Sequence, residues 1–334
     1  MTIRIDEESI FQVIERRRPR SVALNGPEGL IPKIQDSADH IIEKFGIEAY
    51  VIGDTCWGSC DLNSHAAEML GADLLFNIGH TIAIDSFSEK VHMIGAFDDI
   101  SFETVADKCA KELADKFKTI SILTDSQHLH EVETVRRIFT DYGYTMLIGR
   151  GKGQLRDAQV FGCEFYPAYS LQKQVDAYMF LGQSMFHAAG VALSTEKPTF
   201  MLDPYFQEFT QVNDFALGLQ KRAILSVYKA LDAEKIGIII GLKEGQFAHL
   251  RALELKKELE GLGKKIQLIA LTEITEDRVQ VFKGIEAFVQ VACPRIATDN
   301  HFKKPMLSVP QAFALIKLLK REPVGDFMKA QHWL

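Results

Sequence analysis

Short apolar runs alternate with amphipathic segments along most of the chain. The apolar runs, such as "SVALNG" (21–26) and "KIGIIIG" (235–241), carry few charges, which is typical of strands buried in a parallel sheet. The segments between them repeat apolar residues three or four positions apart, as Ile34, Ala38 and Ile41 do, which predicts helices with one buried face. This alternation predicts α/β architecture.

The same order of strands, helices and loops recurs three times. The segments "GADLLFNIGHT", "QVDAYMFLGQS" and "IEAFVQVACPR" each have an acidic residue near the start, an apolar strand and a small polar turn. Generic α/β chains also look repetitive, but here the strand order and the loop contents match as well as the period, which favours a true triplication. We predict three similar domains (1–100, 101–212 and 213–334), each a small four-stranded parallel sheet flanked by helices, with a connecting helix over 206–233.

Composition and charge are those of an ordinary globular protein. Of the 334 residues, 47% are hydrophobic and 25% are charged. The net charge of −7, without a basic block, argues against nucleic-acid binding. No apolar run is long enough to span a membrane, and the start of the chain has no signal-peptide core. Five cysteines, an odd number spread widely, do not suggest a disulfide framework, so we expect a cytoplasmic protein with free thiols.

Three cysteines follow strands at the edge where parallel sheets bind ligands. Cys60 and Cys163 follow the second strands of the first and second units, and Cys293 follows the third strand of the third unit. If the units surround a common centre with these edges inward, the three thiols converge there. Three thiolates are one fewer than a closed structural zinc site needs, and they suit an iron–sulfur cluster with one iron left open.

The other two cysteines have different contexts. Cys56 lies four residues before Cys60, and either thiol could be the ligand of the first unit; we favour Cys60. The usual radical-SAM spacing, CxxxCxxC, would need a cysteine where Asn63 stands. Cys109 lies on a predicted helix, where the role of a small core residue is favoured.

Five motifs occur in order between about residues 20 and 310: "GSCDLNSHAAEMLGADLLFNIGHT", "TDSQHLHEV", "GQLRDAQVFGC", "FMLDPY" and "AFVQVACPRIATD". In content and spacing they resemble the archaeal single-gene form of the diphthamide-synthesis family, the 2-(3-amino-3-carboxypropyl)histidine synthases. "GSC", "QVFGC" and "VQVACPR" match the surroundings of the family's cluster cysteines, which implies that Cys60, Cys163 and Cys293 are the ligands. Cys56 is a departure, because the family pattern does not require it.

The resemblance implies a radical enzyme that uses a [4Fe–4S] cluster and S-adenosylmethionine (SAM). In this family the open iron binds the methionine part of SAM, and one-electron reduction breaks the Cγ–S bond. The products are methylthioadenosine and a 3-amino-3-carboxypropyl radical, which adds to C2 of a histidine in translation elongation factor 2. This is the first step of diphthamide formation. The resemblance also implies a homodimer and an external electron donor.

Candidate SAM contacts lie at the same sheet edge as the cysteines. Helix N-termini after the first strands could receive the SAM carboxylate, and the best candidate is "LKEGQ" (242–246) with Gly241, Gly245 and Gln246, although a plain turn is the alternative. Arg295 could pair with a carboxylate. Other polar residues that end strands there, each with a structural role as the alternative, are His80, Gln127, His128 and Asp203.

Three other functions fit parts of the pattern. A quinolinate-synthase-like iron–sulfur (de)hydratase would share the fold and three cluster cysteines, but the "QVACPR" and "GQLRDAQVFGC" motifs weigh against it. A three-unit α/β binding protein with incidental thiols would bind no iron. An inactive partner-type subunit of the same family is disfavoured because all three ligand positions are retained.

Overall fold

The chain folds around three small, mainly parallel sheets flanked by helices, as the sequence predicts. The computed structural model describes residues 3–84, 88–299 and 302–333. The strands are β1 (Ile3–Ile5), β2 (Ser21–Asn25), β3 (Glu48–Val51), β4 (Leu74–Ile78), β5 (Val91–Ile94), β6 (Ala96–Asp98), β7 (Thr119–Thr124), β8 (Thr145–Leu147), β9 (Ala177–Leu181), β10 (Thr199–Asp203), β11 (Glu208–Gln211), β12 (Lys235–Gly241), β13 (Lys265–Leu271), β14 (Ala287–Gln290) and β15 (Met306–Leu307).

Helices connect these strands and cover both faces of the sheets. They are α1 (Glu7–Arg17), α2 (Ile31–Phe45), α3 (Ser64–Met69), α4 (Glu103–Glu112), α5 (Val132–Asp141), α6 (Tyr166–Tyr169), α7 (Met185–Thr195), α8 (Asn213–Ala230), α9 (His249–Gly261), α10 (Glu276–Gln280), α11 (Pro294–Asp299) and α12 (Val309–Leu319). Short 3₁₀ turns follow the first strand of each main sheet, at Glu28–Leu30, Ser126–Glu131 and Glu244–Gln246. Within the described ranges, no helix is both long enough and apolar enough to cross a membrane.

The three main sheets have related strand orders, and we call each sheet with its flanking helices a lobe. The first lobe has the parallel order β3-β2-β4-β5, and the third has the parallel order β13-β12-β14-β15. The second has the order β11-β10-β9-β7-β8. In each lobe the first strand lies between the second and the third, so the predicted repeat corresponds to a repeated topology.

The second sheet differs from the four-stranded prediction because a fifth strand pairs with its edge. Strand β11 runs antiparallel to β10, with Phe200 opposite Gln211. It occupies the first part of the segment 206–233, which the sequence interprets as a helix; the helix α8 begins only at Asn213. Phe209 explains the difference, because its side chain packs against the core of the second lobe from this strand.

In every lobe, an acidic side chain links the first strand to the third. The acidic residue directly precedes the third strand, and its carboxylate accepts backbone N–H groups at the start of the neighbouring first strand. The three sets are Asp73 with Arg20 and Ser21, Asp176 with Lys118 and Thr119, and Glu286 with Glu234 and Lys235. These are the acidic residues that recur in the sequence repeat, and their shared role is to hold the first and third strands in register.

Two elements join the second lobe to the third. Helix α8 buries Ala216 and Leu219 in the core of the second lobe and Val227 in the core of the third. Trp333, in the predicted third domain, packs instead in the core of the second lobe. The predicted domain boundaries stay a prediction.

Candidate functional site

The three cysteine loops leave their sheets at the carboxyl ends of parallel strands. Cys60 lies between β3 and α3, Cys163 between β8 and α6, and Cys293 between β14 and α11. Segments of the neighbouring lobes contact the Cys60 and Cys163 loops, so the lobes converge at these edges.

The third lobe packs directly on Cys60. The Gly245 N–H donates to the Cys60 carbonyl oxygen at 2.9 Å, and the Gln246 side-chain nitrogen lies 3.5 Å from the Cys60 sulfur. A Cβ on Gly245 would lie only 2.5 Å from the Cys60 Cα, so only glycine fits this approach.

The loop that carries Cys163 contacts the first and third lobes. Gln159 and Arg156 donate to the carbonyl oxygens of Thr81 and Ile82, at 2.8 and 3.0 Å. On the other side, a Cβ on Gly162 would lie 3.4 Å from Cδ of Arg295, which stands two residues after Cys293. The Cys163 loop therefore lies between the first and third lobes.

The three thiols are close enough to influence one another's ionisation. Burial raises the pKa of Cys163, and the charges of Cys293 and Cys60 raise it further. Burial also raises the pKa of Cys60, although the hydrogen bond from Gln246 opposes that shift. Among the residues that the structure describes, no three His, Cys, Asp or Glu side chains close around one metal ion. Three thiols are one fewer than the four ligands of a closed structural zinc site, and they suit an iron–sulfur cluster with one iron left open.

Cys56 lies beside this group in a different setting. Its buried sulfur accepts a hydrogen bond from Asn25 at 3.4 Å and lies 4.0 Å from Nδ1 of His80. Burial, with a smaller effect of the Asp61 charge, raises its pKa to about 11. The choice of Cys60 over Cys56 stays a prediction.

Cys109 lies away from the convergence. It is buried in α4 in the second lobe's core, with its sulfur 3.9 Å from that of Met179. This environment matches the predicted role of a small core residue.

A buried ion-pair cluster, which the sequence did not predict, joins the turn at 242–246 to the Cys60 loop. The Lys243 ammonium contacts Asp61 and lies 2.7 Å from Glu273. Burial alone would lower the pKa of Lys243, but the two carboxylates outweigh it and raise that pKa. Glu244 accepts the N–H groups of Leu62 and Ser64.

These contacts change the interpretation of "LKEGQ" as a SAM-binding turn. The N–H of Gly245 is already donated to Cys60, so it is not available to a SAM carboxylate in this arrangement. Gly241 is packed tightly as well, since a Cβ there would lie 2.7 Å from that of Ala292. The geometry gives this turn the role of a support for the Cys60 loop. SAM contacts by Gly241 and Gln246 stay predictions.

Two uncharged histidines and an arginine form one corner of the site. The guanidinium carbon of Arg295 lies 4.7 Å from the ring centroid of Phe186. Burial lowers the pKa of His80 to about 4 and that of His187 to about 3, and the charge of Arg295 lowers both further. Sequence reasoning missed His187, although "SMFHAAG" follows the third strand of the second unit much as His80 follows the third strand of the first.

The remaining candidates have mainly structural contacts. The turn that carries Gln127 is tied to the first lobe by Ser126, whose hydroxyl donates to the Gly79 carbonyl at 3.1 Å. His128 is buried with its ring centroid 5.0 Å from that of Phe102. Asp203 accepts the N–H of Tyr205 at 2.8 Å, as a residue that caps a turn does.

An open cavity of about 430 Å³ lies beside Gln246. Its walls are mostly apolar and include Phe247, Leu250 and Ala292, with Arg251 and Glu254 as charged residues. Its size is within the range of pockets that bind small molecules.

Comparisons with known proteins agree with this architecture. A family model described as a putative diphthamide synthesis protein matches residues 26–326. The 2-(3-amino-3-carboxypropyl)histidine synthase of Pyrococcus horikoshii is 28% identical over 318 residues, which cover 94% of this chain and 91% of that protein. Subunit 1 of the synthase of Gallus gallus is 30% identical over 312 residues, which cover 90% of this chain and 73% of that protein.

A solved structure also matches. The crystal structure of Dph2 from Pyrococcus horikoshii with a 4Fe-4S cluster has a TM-score of 0.86 at 26% identity, and the match covers 94% of this chain and 91% of that chain. The chain therefore belongs to the diphthamide synthesis protein family.

Proposed function

We propose that this protein transfers the 3-amino-3-carboxypropyl group of SAM to C2 of a histidine in translation elongation factor 2, the first step of diphthamide biosynthesis. The observation that carries the proposal is the meeting of three cysteine loops from three lobes at one place. The similarity to named synthases over 94% of the chain supports the same function.

The proposed cofactor is a [4Fe–4S] cluster held by Cys60, Cys163 and Cys293. Thiolates are the protein ligands that iron–sulfur clusters take, and three of them leave one iron open. When bound, the cluster would supply one electron at low potential to the sulfonium of SAM, so that the Cγ–S bond breaks into methylthioadenosine and a 3-amino-3-carboxypropyl radical.

The chain's own residues would position SAM and exclude water. Because His80 and His187 are uncharged, Arg295 provides the positive charge in this corner, and its guanidinium suits the carboxylate of SAM. Uncharged imidazoles also do not repel the sulfonium. The apolar cavity beside Gln246, with Phe247 on its wall, offers a surface for the adenosine part.

The proposed assembly is a cytoplasmic homodimer that is reduced by a separate electron donor, as the family resemblance implies. A quinolinate-synthase-like activity on a small molecule is not favoured, because the named relatives that match most of the chain are histidine synthases.

The test is incubation of anaerobically reconstituted, dithionite-reduced protein with SAM, with and without elongation factor 2. We expect methylthioadenosine in both reactions and a mass increase of one aminocarboxypropyl group on the elongation factor. Formation of 5′-deoxyadenosine, or no cleavage of SAM by iron-loaded protein, would contradict the proposal.

A further inference from the structure

The side-chain amide of Gln246 contacts the sulfur of Cys60, and the same residue lines the adjacent cavity. Its amide nitrogen lies 3.5 Å from Sγ of Cys60, within hydrogen-bonding distance for a sulfur acceptor. Gln246 is 8% exposed, so bulk water competes little with this contact.

Contacts on both sides of Gln246 hold this donor in place. Gly245 donates to the Cys60 carbonyl oxygen, and the Gln246 N–H donates to the Lys243 carbonyl oxygen at 2.9 Å. Lys243 is in turn held by Asp61, the residue that follows Cys60. The donor and the sulfur are therefore linked by backbone hydrogen bonds and an ion pair, although they come from different lobes.

A hydrogen bond to a cluster thiolate has a definite electronic effect. It stabilises negative charge on sulfur, and the reduced cluster carries one more negative charge than the oxidised cluster. The bond is therefore stronger in the reduced state, which makes reduction more favourable.

We propose that Gln246 tunes the reduction potential of the cluster by donating its amide N–H to the Cys60 thiolate. The inference rests on the proposed function, in which Cys60 is a ligand. In this inference the Gln246 amide donates its hydrogen bond to a cluster ligand and not to SAM. In the relevant step the oxidised [4Fe–4S]²⁺ cluster accepts one electron, without a proton, and becomes [4Fe–4S]⁺.

The experiment compares Gln246→Leu and Gln246→Glu with the unaltered protein. Each is reconstituted anaerobically, its iron and sulfide are counted, and its cluster is titrated with dithionite while the EPR signal of the reduced state is recorded. For Gln246→Leu we expect full iron content and a three- to tenfold smaller equilibrium constant for reduction, which is a shift of about 30–60 mV to more negative potential. Gln246→Glu replaces the donor with an acceptor and should shift the potential further in the same direction.

The matched control is Gln280→Leu. Gln280 lies on α10 and donates to Glu276 on the same helix, so its loss should leave the midpoint potential unchanged. An unchanged midpoint in both Gln246 variants would overturn the inference, as would loss of iron from both, because the amide would then serve cluster assembly. Cys60→Ala separates this failure from a failure of the proposed function. If that variant keeps its iron, the ligand assignment itself is wrong.

Discussion

Gln290 shows how a single buried side chain fixes the backbone of a cysteine loop. Its carbonyl oxygen accepts the N–H groups of Ala292 and Cys293, both at 2.9 Å, and its amide donates to the Cys293 carbonyl oxygen at 2.7 Å. The loop after β14 is thus held in one conformation by a buried residue. Gln246 donates to the Cys60 sulfur from another lobe, so buried amides contact two of the three cysteine loops.

At this scale the cysteine substitutions give the most direct prediction. We expect Cys60→Ala, Cys163→Ala and Cys293→Ala each to lose most of the roughly four iron atoms per chain of a reconstituted cluster, because two thiolates cannot hold it. Iron and sulfide analysis with the visible absorption spectrum measures the loss.

Cys109→Ala is the matched control, since that thiol lies in a hydrophobic core and should leave the iron content unchanged. The Cys56→Ala variant distinguishes Cys56 from Cys60 as the cluster ligand of the first lobe. Full iron in Cys60→Ala together with loss of iron in Cys56→Ala would show that Cys56 is the ligand.

At the scale of elements, the acidic residues before the third strands link the first and third strands of each lobe by hydrogen bonds. Backbone N–H bonds hold the pKa of Asp73 and that of Asp176 below the usual range for aspartate. A depressed native pKa means that the stabilisation is fully present above the unfolded pKa, about 4, and is lost as the pH falls through the native pKa.

The expected result for Asp73→Asn and Asp176→Asn is a modest loss of stability at pH 7, up to about 1 kcal/mol each, because both carboxylates lie near the surface. The variants should also lose less stability than the unaltered protein between pH 5 and about pH 3. Urea denaturation followed by circular dichroism measures both effects. Parallel losses on acidification would contradict this role.

The elements themselves were largely predictable, because buried parallel strands leave an unambiguous apolar pattern. Strand β11 was missed since "EFTQ" is short and mostly polar, and Phe209 alone packs inward. The cysteines could be placed at the sheet edge because parallel strands end on the same side. The contact of Lys243 with Asp61 could not be predicted, because the two are 182 positions apart and meet only through the arrangement of lobes.

At the scale of the molecule, the Lys243 cluster ties the third lobe to the first. Both Lys243 and Asp61 are almost fully buried, so removal of one charge leaves the other without compensation. We expect Lys243→Met to lower the free energy of unfolding by about 3–5 kcal/mol. Adding Asp61→Leu to it should recover part of that loss, because the unpaired carboxylate is then gone.

Lys256→Met is the control for this prediction. Lys256 pairs with Glu260 on the surface of α9, and such a pair contributes less than about 0.5 kcal/mol. Thermal and urea unfolding of the four proteins measures the differences. If Lys243→Met is no less stable than Lys256→Met, the ion pair does not hold the lobes together.

The dispersed origin of the three sulfurs has a consequence for biogenesis. The first and last of the proposed donors, Cys60 and Cys293, are 233 positions apart, so the ribosome makes the third donor long after the first. With this ligand assignment, a cluster held by all three thiolates can therefore form only after the third lobe has been synthesised.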